Sequence, residues 1–222
     1  MRALPIAVLA SGRGSNLQAL IDARAAGALA VDIVLVAGDR ADAAALRRAE
    51  AAGIATLALD PRGYAARAAF DADLFARIAQ HAPELVVMAG FMRVVDAAVL
   101  APWQGRVINI HPSLLPRHRG LGTHRRALAA GDALHGASVH YVTAELDGGP
   151  VVAQAEVPVL AGDTAQTLAA RVLAREHRLL PATLALIAAG RLGWAADGVR
   201  FDGAALRAPL RLGDDGALAA PA

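Results

Sequence analysis

The sequence predicts an α/β protein built on an open, Rossmann-like, mostly parallel sheet flanked by helices, with antiparallel strands in its C-terminal third. Three observations predict it. Short apolar runs alternate with helix-period segments through the first half of the chain. Those runs are continuously apolar, as expected of strands buried on both faces. After Gly120 the rhythm changes, and two β runs follow each other across the tight turn Leu146-Asp147-Gly148-Gly149.

The elements follow in order. Strands are predicted at Pro5–Ala10, Val31–Ala37, Ala55–Leu59, Leu85–Ala89 and Arg106–His111. Helices are predicted between them at Ser15–Ala26, Ala41–Ala52, Tyr64–His81 and Val94–Leu100. The first helix sets Leu17, Leu20 and Ile21 on one face and stops at Gly27. A short helix over Thr123–Ala130 then precedes β runs at Gly136–Val142 and Pro150–Val157. A long helix is expected from about Thr164, interrupted by Pro181. The tail after Gly193 is rich in Gly and Asp and is expected to form a loose hairpin. With no repeat and no long linker, residues 1–222 are read as one domain. Its parts are a Rossmann-like half (1–104), a second part (105–192) and the tail (193–222).

Composition narrows the function. Hydrophobic residues make up 56% of the 222, and aromatics 4%, so the core is built from Val, Leu, Ile and Ala. All 22 basic residues are arginine, against 20 acidic ones, which leaves a formal charge of +2. The sequence pI near 9.9 overstates the basicity, because arginine titrates so high. Basic runs are no longer than Arg47-Arg48 or Arg125-Arg126 and carry no interleaved aromatics, which argues against nucleic acid as a partner. Cysteine is absent, so thiol nucleophiles and disulfides are excluded. The first apolar run is too short to span a membrane, and a cytoplasmic location is expected.

The turn Ser11-Gly12-Arg13-Gly14-Ser15-Asn16-Leu17 joins the first strand to the first helix. Backbone N–H groups in such a turn receive an anion. Leu17 stands where the dinucleotide fingerprint needs its third glycine, and the nucleotide P-loop needs a lysine that this chain lacks. The turn serves equally well as a plain structural connection.

Asn109-Ile110-His111-Pro112-Ser113-Leu114-Leu115-Pro116 is more informative. Residues two apart on a strand share a face, so Asn109 and His111 point the same way, roughly 7 Å apart. They lie at the C-terminal end of a parallel strand, where open α/β sheets bind ligands. A hydrogen-bonded core Asn and His would leave the same pattern. Ser138 and His140 likewise share a face and are read as supporting residues. Asp147 sits in an Asp-Gly turn, by itself a hairpin signal. A carboxylate beside an imidazole raises its pKa, which suits a general acid. Glu176 falls on the apolar ladder of Leu168, Val172 and Leu180 and requires either an arginine or a polar ligand. Five histidines fall between His111 and His140, but none shows metal-ligand spacing and no Cys accompanies them, so no metal is expected.

Five segments in order carry a resemblance: Ser-Gly-x-Gly-Ser-Asn-Leu, Ala89-Gly-Phe-Met-Arg93, Asn109-Ile-His-Pro-Ser-Leu-Leu-Pro, His135-Gly-x-Ser-Val-His140 and Leu146-Asp-Gly-Gly-Pro. Together the chain resembles the phosphoribosylglycinamide formyltransferases, the folate-dependent family of de novo purine synthesis, over roughly Ile6 to Leu192. The resemblance implies that the amine of 5-phosphoribosylglycinamide attacks the formyl carbon of 10-formyltetrahydrofolate, a cosubstrate, through a tetrahedral intermediate. It implies that Asn109 and His111 stabilise the oxyanion, His111 donates a proton, and Asp147 raises the pKa of His111 and relays protons. It places the ribonucleotide on Gly14, Ser15, Asn16 and Glu176, and the folate on Arg67, Met92, Arg93, Val94, Val95 and Asn109. The implied protein is a monomer or homodimer with no membrane or nucleic-acid partner.

Two positions depart from the family pattern: Gly38-Asp39 replaces Ser-Asn, and Gly122 replaces a histidine. Three rival readings remain within reach of the same residues. A formyltetrahydrofolate deformylase would keep the Asn, His and Asp but add an N-terminal domain, for which a first strand at Pro5 leaves no room. Methionyl-tRNA formyltransferase would add a C-terminal RNA-binding domain. A non-catalytic nucleotide-binding regulator would use the glycine turn alone.

Overall fold

A computed structural model describes residues 2–221. The chain divides into two compact units, 1–109 and 110–222.

The first unit is a wholly parallel sheet in the order β3-β2-β1-β4-β5. Its strands are β1 (Leu4–Leu9), β2 (Val31–Gly38), β3 (Thr56–Ala58), β4 (Leu85–Met88) and β5 (Val107–His111), the last running across the division. The predicted strands are recovered to within a residue or so at each end. Their continuous apolar runs have the expected cause: Ile6 to Leu9, Val86 and Val87 are almost wholly buried. The helices are α1 (Ser15–Ala25), α2 (Ala44–Ala51), α3 (Arg67–Gln80) and α4 (Ala97–Leu100). Leu17 and Leu20 are fully buried on the inner face of α1.

The helix expected from Val94 begins only at Ala97. The Asp96 side chain accepts the Ala98 N–H at 2.9 Å and so caps the helix there. The Asp96 N–H in turn donates to the buried Asp71 carboxylate at 2.8 Å. Residues 92–95 therefore lie outside any helix or strand, with a bend at Arg93.

The second unit begins with the end of β5 and carries α5 (Thr123–Ala129), β6 (Leu134–Tyr141), β7 (Val151–Pro158) and α6 (Ala165–Ala188). β6 and β7 pair antiparallel, as the turn between them predicts. α6 starts on a capping box formed by Thr164 and Thr167.

Pro181 does not interrupt α6, contrary to expectation. Leu179, Leu180 and Leu184 around it are fully buried, and the Thr183 hydroxyl donates to the Leu179 carbonyl at 2.8 Å. Packing outweighs the hydrogen bond that proline cannot make.

The tail is also more ordered than a loose hairpin. β8 (Leu192–Ala195), β9 (Gly198–Phe201) and β10 (Ala204–Ala205) form an antiparallel sheet of their own. β11 (Leu210–Leu212) then lies parallel beside β7 and pairs with β12 (Leu218–Ala219). Leu210 and Leu212 are buried, and these two apolar residues anchor a segment whose glycines and aspartates dominate its composition.

Candidate active site

In the first unit, the glycine turn lies between the end of β1 and α1. Gly14 caps α1 at φ 69°, and a Cβ there would stand 2.6 Å from the Ala45 Cα, so both backbone and space demand glycine. Ser15 opens the helix, and Asn16 is buried at its first turn. Arg48 donates to the Arg13 carbonyl at 2.9 Å and to Gln18 at 2.9 Å, bracing the turn from α2.

The segment after β4 meets this turn within the same unit. The Ser11 N–H donates to the Gly90 carbonyl at 3.1 Å, and the Met92 N–H donates to the Ser11 hydroxyl at 3.0 Å. Met92 and Val94 are exposed apolar side chains and Val95 is buried. Arg93 lies 4.0 Å from Asp39 and stacks over the Phe70 ring at 4.8 Å. Arg67 is exposed at the start of α3.

A Cβ on Gly38 would stand 2.7 Å from the Ala10 carbonyl oxygen, and Asp39 is the partner of Arg93. Gly122 caps α5 at φ 70°, a conformation natural to glycine.

The buried histidines among the described residues lie in the second unit. His111, at the end of β5, and His140, on β6, are both buried. Asp147 lies between them. Its carboxylate is 3.4 Å from His111 Nδ1 and 3.5 Å from His140 Nε2, and it accepts the Gly120 N–H at 2.8 Å.

Each ring has its other nitrogen on a backbone carbonyl. His111 Nε2 donates to His118 O at 3.1 Å, and His140 Nδ1 donates to Tyr141 O at 2.9 Å. A carbonyl only accepts, so each neutral ring turns a lone pair toward Asp147. The Asp147 carboxylate is thus in place to balance the charge of a protonated His111.

Electrostatics follow from burial. Burial works against the charge of Asp147, yet the His140 ring, the Gly120 N–H and the potential of His111 outweigh it and hold the carboxyl down at about 2. The His111 imidazole lies below its ordinary value. Dehydration is the largest cause; Asp147 and the His118 carbonyl oppose it, while His140 and Arg126 reinforce it. From the sequence, Asp147 is expected to raise the pKa of His111. Asp147 does push in that direction, but the dehydration of a nearly enclosed ring wins.

The supporting residues have defined partners. Ser138 donates to Ser113 O at 2.7 Å and accepts the Leu115 N–H at 3.0 Å. Gln154 on β7 donates to both Ser138 and Leu115 O at 2.9 Å, fixing the Leu114–Pro116 path. Sequence reasoning missed Gln154, although a buried amide within Val-Val-Ala-Gln-Ala is a visible signal. It also missed Gly120, whose role is played by backbone alone and leaves no side-chain trace.

Glu176 is buried on α6 in line with Leu168, Val172 and Leu180, as its spacing predicts. Asn109 is half-buried on β5 beside Met88. Concavities of 810 Å³ between α1 and α2, and of 310 Å³ beside Gln154 and Arg175, include neither His111 nor Asp147. Among the described residues, no cluster of His, Asp or Glu is arranged to hold a metal ion, and no helix is long and apolar enough to cross a membrane.

A parallel sheet with a glycine turn at its carboxyl end, accompanied by a buried imidazole–carboxylate group, defines an α/β group-transfer enzyme. Residues 4–184 match the family described as formyl transferase, and the chain belongs to that family. It is similar to the phosphoribosylglycinamide formyltransferase of Escherichia coli strain K12, with 48% identity over 89% of this chain and 93% of the relative. Its fold matches the phosphoribosylglycinamide formyltransferase of Coxiella burnetii with a TM-score of 0.87, at 48% identity over 91% and 95% of the two chains. It also matches glycinamide ribonucleotide transformylase 1 of Symbiobacterium toebii with a TM-score of 0.86, at 45% identity over 90% and 94%.

Proposed function

We propose that this chain transfers the formyl group of 10-formyltetrahydrofolate to the amine of 5-phosphoribosylglycinamide in purine biosynthesis. The observation that carries the reading is the Asp147 carboxylate seated between His111 and His140 while also holding the Gly120 N–H.

The amine attacks the formyl carbon, a C–N bond forms, and the carbonyl oxygen becomes an oxyanion. Asn109 supplies a hydrogen-bond donor to that oxygen, and His111, two residues on along the same strand, stabilises it with the charge of its protonated ring. Such donors act most strongly where water is excluded. The developing negative charge opposes the dehydration of His111 and favours its protonated form. Collapse breaks the bond from the formyl carbon to N10 of the folate. N10 gains a proton, and the attacking nitrogen loses one toward Asp147 through water. Asp147 remains ionised throughout the neutral range, so it is always ready to accept or to balance an imidazolium.

Gly14, Ser15 and Asn16 receive the phosphate of the ribonucleotide on the N-terminus of α1. Glu176 accepts hydrogen bonds from the same substrate. Arg67 and the segment Met92–Val95 take the folate, whose apolar contacts match exposed Met92 and Val94. The folate is a cosubstrate, and the chemistry requires no metal.

The test mixes glycinamide ribonucleotide with 10-formyltetrahydrofolate and follows folate absorbance with and without the amine. Turnover that needs the amine is expected. Equal turnover without it would assign the chain to formyl hydrolysis instead.

A further inference from the structure

Of the five clustered histidines, the proposed reaction uses His111, His140 sits beside Asp147, and the backbone of His118 meets the His111 ring. His111 Nε2 donates to the backbone carbonyl of His118 at 3.1 Å. His118 is itself in the left-handed region, at φ 55°, where a side-chain-bearing residue is held only by its surroundings. Its ring provides the hold: Nε2 lies 2.7 Å from the Asp132 carboxylate. Asp132 is a rigid anchor. Its side chain is 2% exposed, and its N–H bonds the Ala127 carbonyl at 3.1 Å at the end of α5. Arg117 also pairs with Asp132, but from an exposed position.

Ring and carbonyl of His118 belong to one residue, so clamping the ring at a fixed backbone conformation fixes the direction of the carbonyl. That carbonyl accepts only, which puts the hydrogen of His111 on Nε2 and leaves Nδ1 toward Asp147. We propose that Asp132 and His118 are positioning residues: Asp132 clamps the His118 ring, and the His118 carbonyl thereby sets the orientation and tautomer of His111. This deepens the proposed role of His111 and rests on it for its effect on turnover, but not for its effect on the ring.

Other charged or titratable groups also act on the ring. They are His124 and Arg126 on α5, His135 and His140 on β6, and Asp147 in the following turn. All of them are left in place by the substitutions that test the clamp.

The experiment is an NMR titration of the His111 ring in the full chain, with kcat and KM measured alongside. It compares the natural sequence with Asp132→Asn, His118→Gly and Arg117→Ala. Glycine adopts φ 55° without strain, so His118→Gly keeps the carbonyl while removing the clamp together with the ring's edge contact to His135, and it carries the test if Asp132→Asn fails to fold.

In both clamp variants, the His111 midpoint falls and its tautomer becomes mixed, because an acceptor that favours the charged ring has been loosened. Turnover drops about 10- to 100-fold with little change in KM for the ribonucleotide, as expected of a misaimed group. Arg117→Ala leaves both unchanged. A His111 titration and tautomer identical to the natural protein's in His118→Gly would overturn the clamp. A displaced titration with full turnover would sustain the clamp and remove His111 from the chemistry.

Discussion

Asp147 occupies its place through a backbone conformation that few residues other than glycine adopt: its φ is 47°. Aspartate is among the side chains that tolerate that region. The pairing of a left-handed Asp with two following glycines is therefore structural as well as chemical, and the Asp-Gly turn signal in the sequence reports both. The phosphate cradle gives the first prediction at this scale. Asn16→Ala should raise KM for the ribonucleotide several-fold while kcat changes little; an unaltered KM would refute the cradle. Protonation gives the second. Burial first, then His124 and His118, push His135 down to about 4, and its ring lies 3.1 Å from that of His124. The unfolded chain takes up this proton near 6.5, whereas the folded chain refuses it until about 4. The stability involved is complete above the unfolded value and is lost as pH falls toward the folded one, at most about 3 kcal/mol. His135→Asn should therefore lose less stability than the natural protein between about pH 7 and pH 4.5, measured by urea unfolding. Equal losses would contradict the assignment. His111 shows where residue-level reading fails: the sign of its partner's effect was legible, but the depth of its burial was not.

Elements were legible wherever a strong local rule acted alone. The parallel strands, the stop of α1 at Gly27 and the antiparallel pair across the Asp147 turn follow from continuous apolar runs and turn chemistry. Errors arose where tertiary packing overrode a local rule. Pro181 sits inside α6 because buried leucines on either side hold the helix. Residues 94–95 stay outside the helix expected to include them, because Asp96 starts the helix later and Asp71 pins its backbone. The tail acquires order from Leu210 and Leu212 docking against the second unit's own strands. A prediction at this scale concerns the turn itself. A Cβ on Gly149 would stand 1.9 Å from the Tyr141 carbonyl oxygen, which backbone cannot yield without moving the turn. Gly149→Ala should cost about 1–3 kcal/mol of stability and displace Asp147, lowering kcat far more than a comparable loss of stability elsewhere. Denaturant unfolding and steady-state kinetics measure the two effects; normal kcat in a destabilised variant would separate the turn from the chemistry.

At the scale of the molecule, the sequence divides its labour between two compact units, 1–109 and 110–222. The first holds the glycine turn, the 90–95 segment and Asn109; the second holds His111, His140, Asp147 and Glu176. The division falls within β5, so Asn109 and His111 stand on either side of it, two residues apart. What could be read from the sequence was the set of polar residues at strand ends and turns. What could not be read were the backbone groups that complete the arrangement, the Gly120 N–H and the His118 carbonyl, since every residue carries them and only folding selects which are used. Formyl transfer to an amine requires more than a phosphate cradle, and the carboxylate between two imidazoles is the feature that a mere ligand-binding protein has no use for. The most direct measurement is therefore kcat for amine-dependent formyl transfer in the natural chain and in Asp147→Asn, with His111→Ala in parallel and folding checked by circular dichroism. The account predicts turnover reduced by about 10²–10³ in each variant with the fold intact. Near-normal turnover in Asp147→Asn would contradict it.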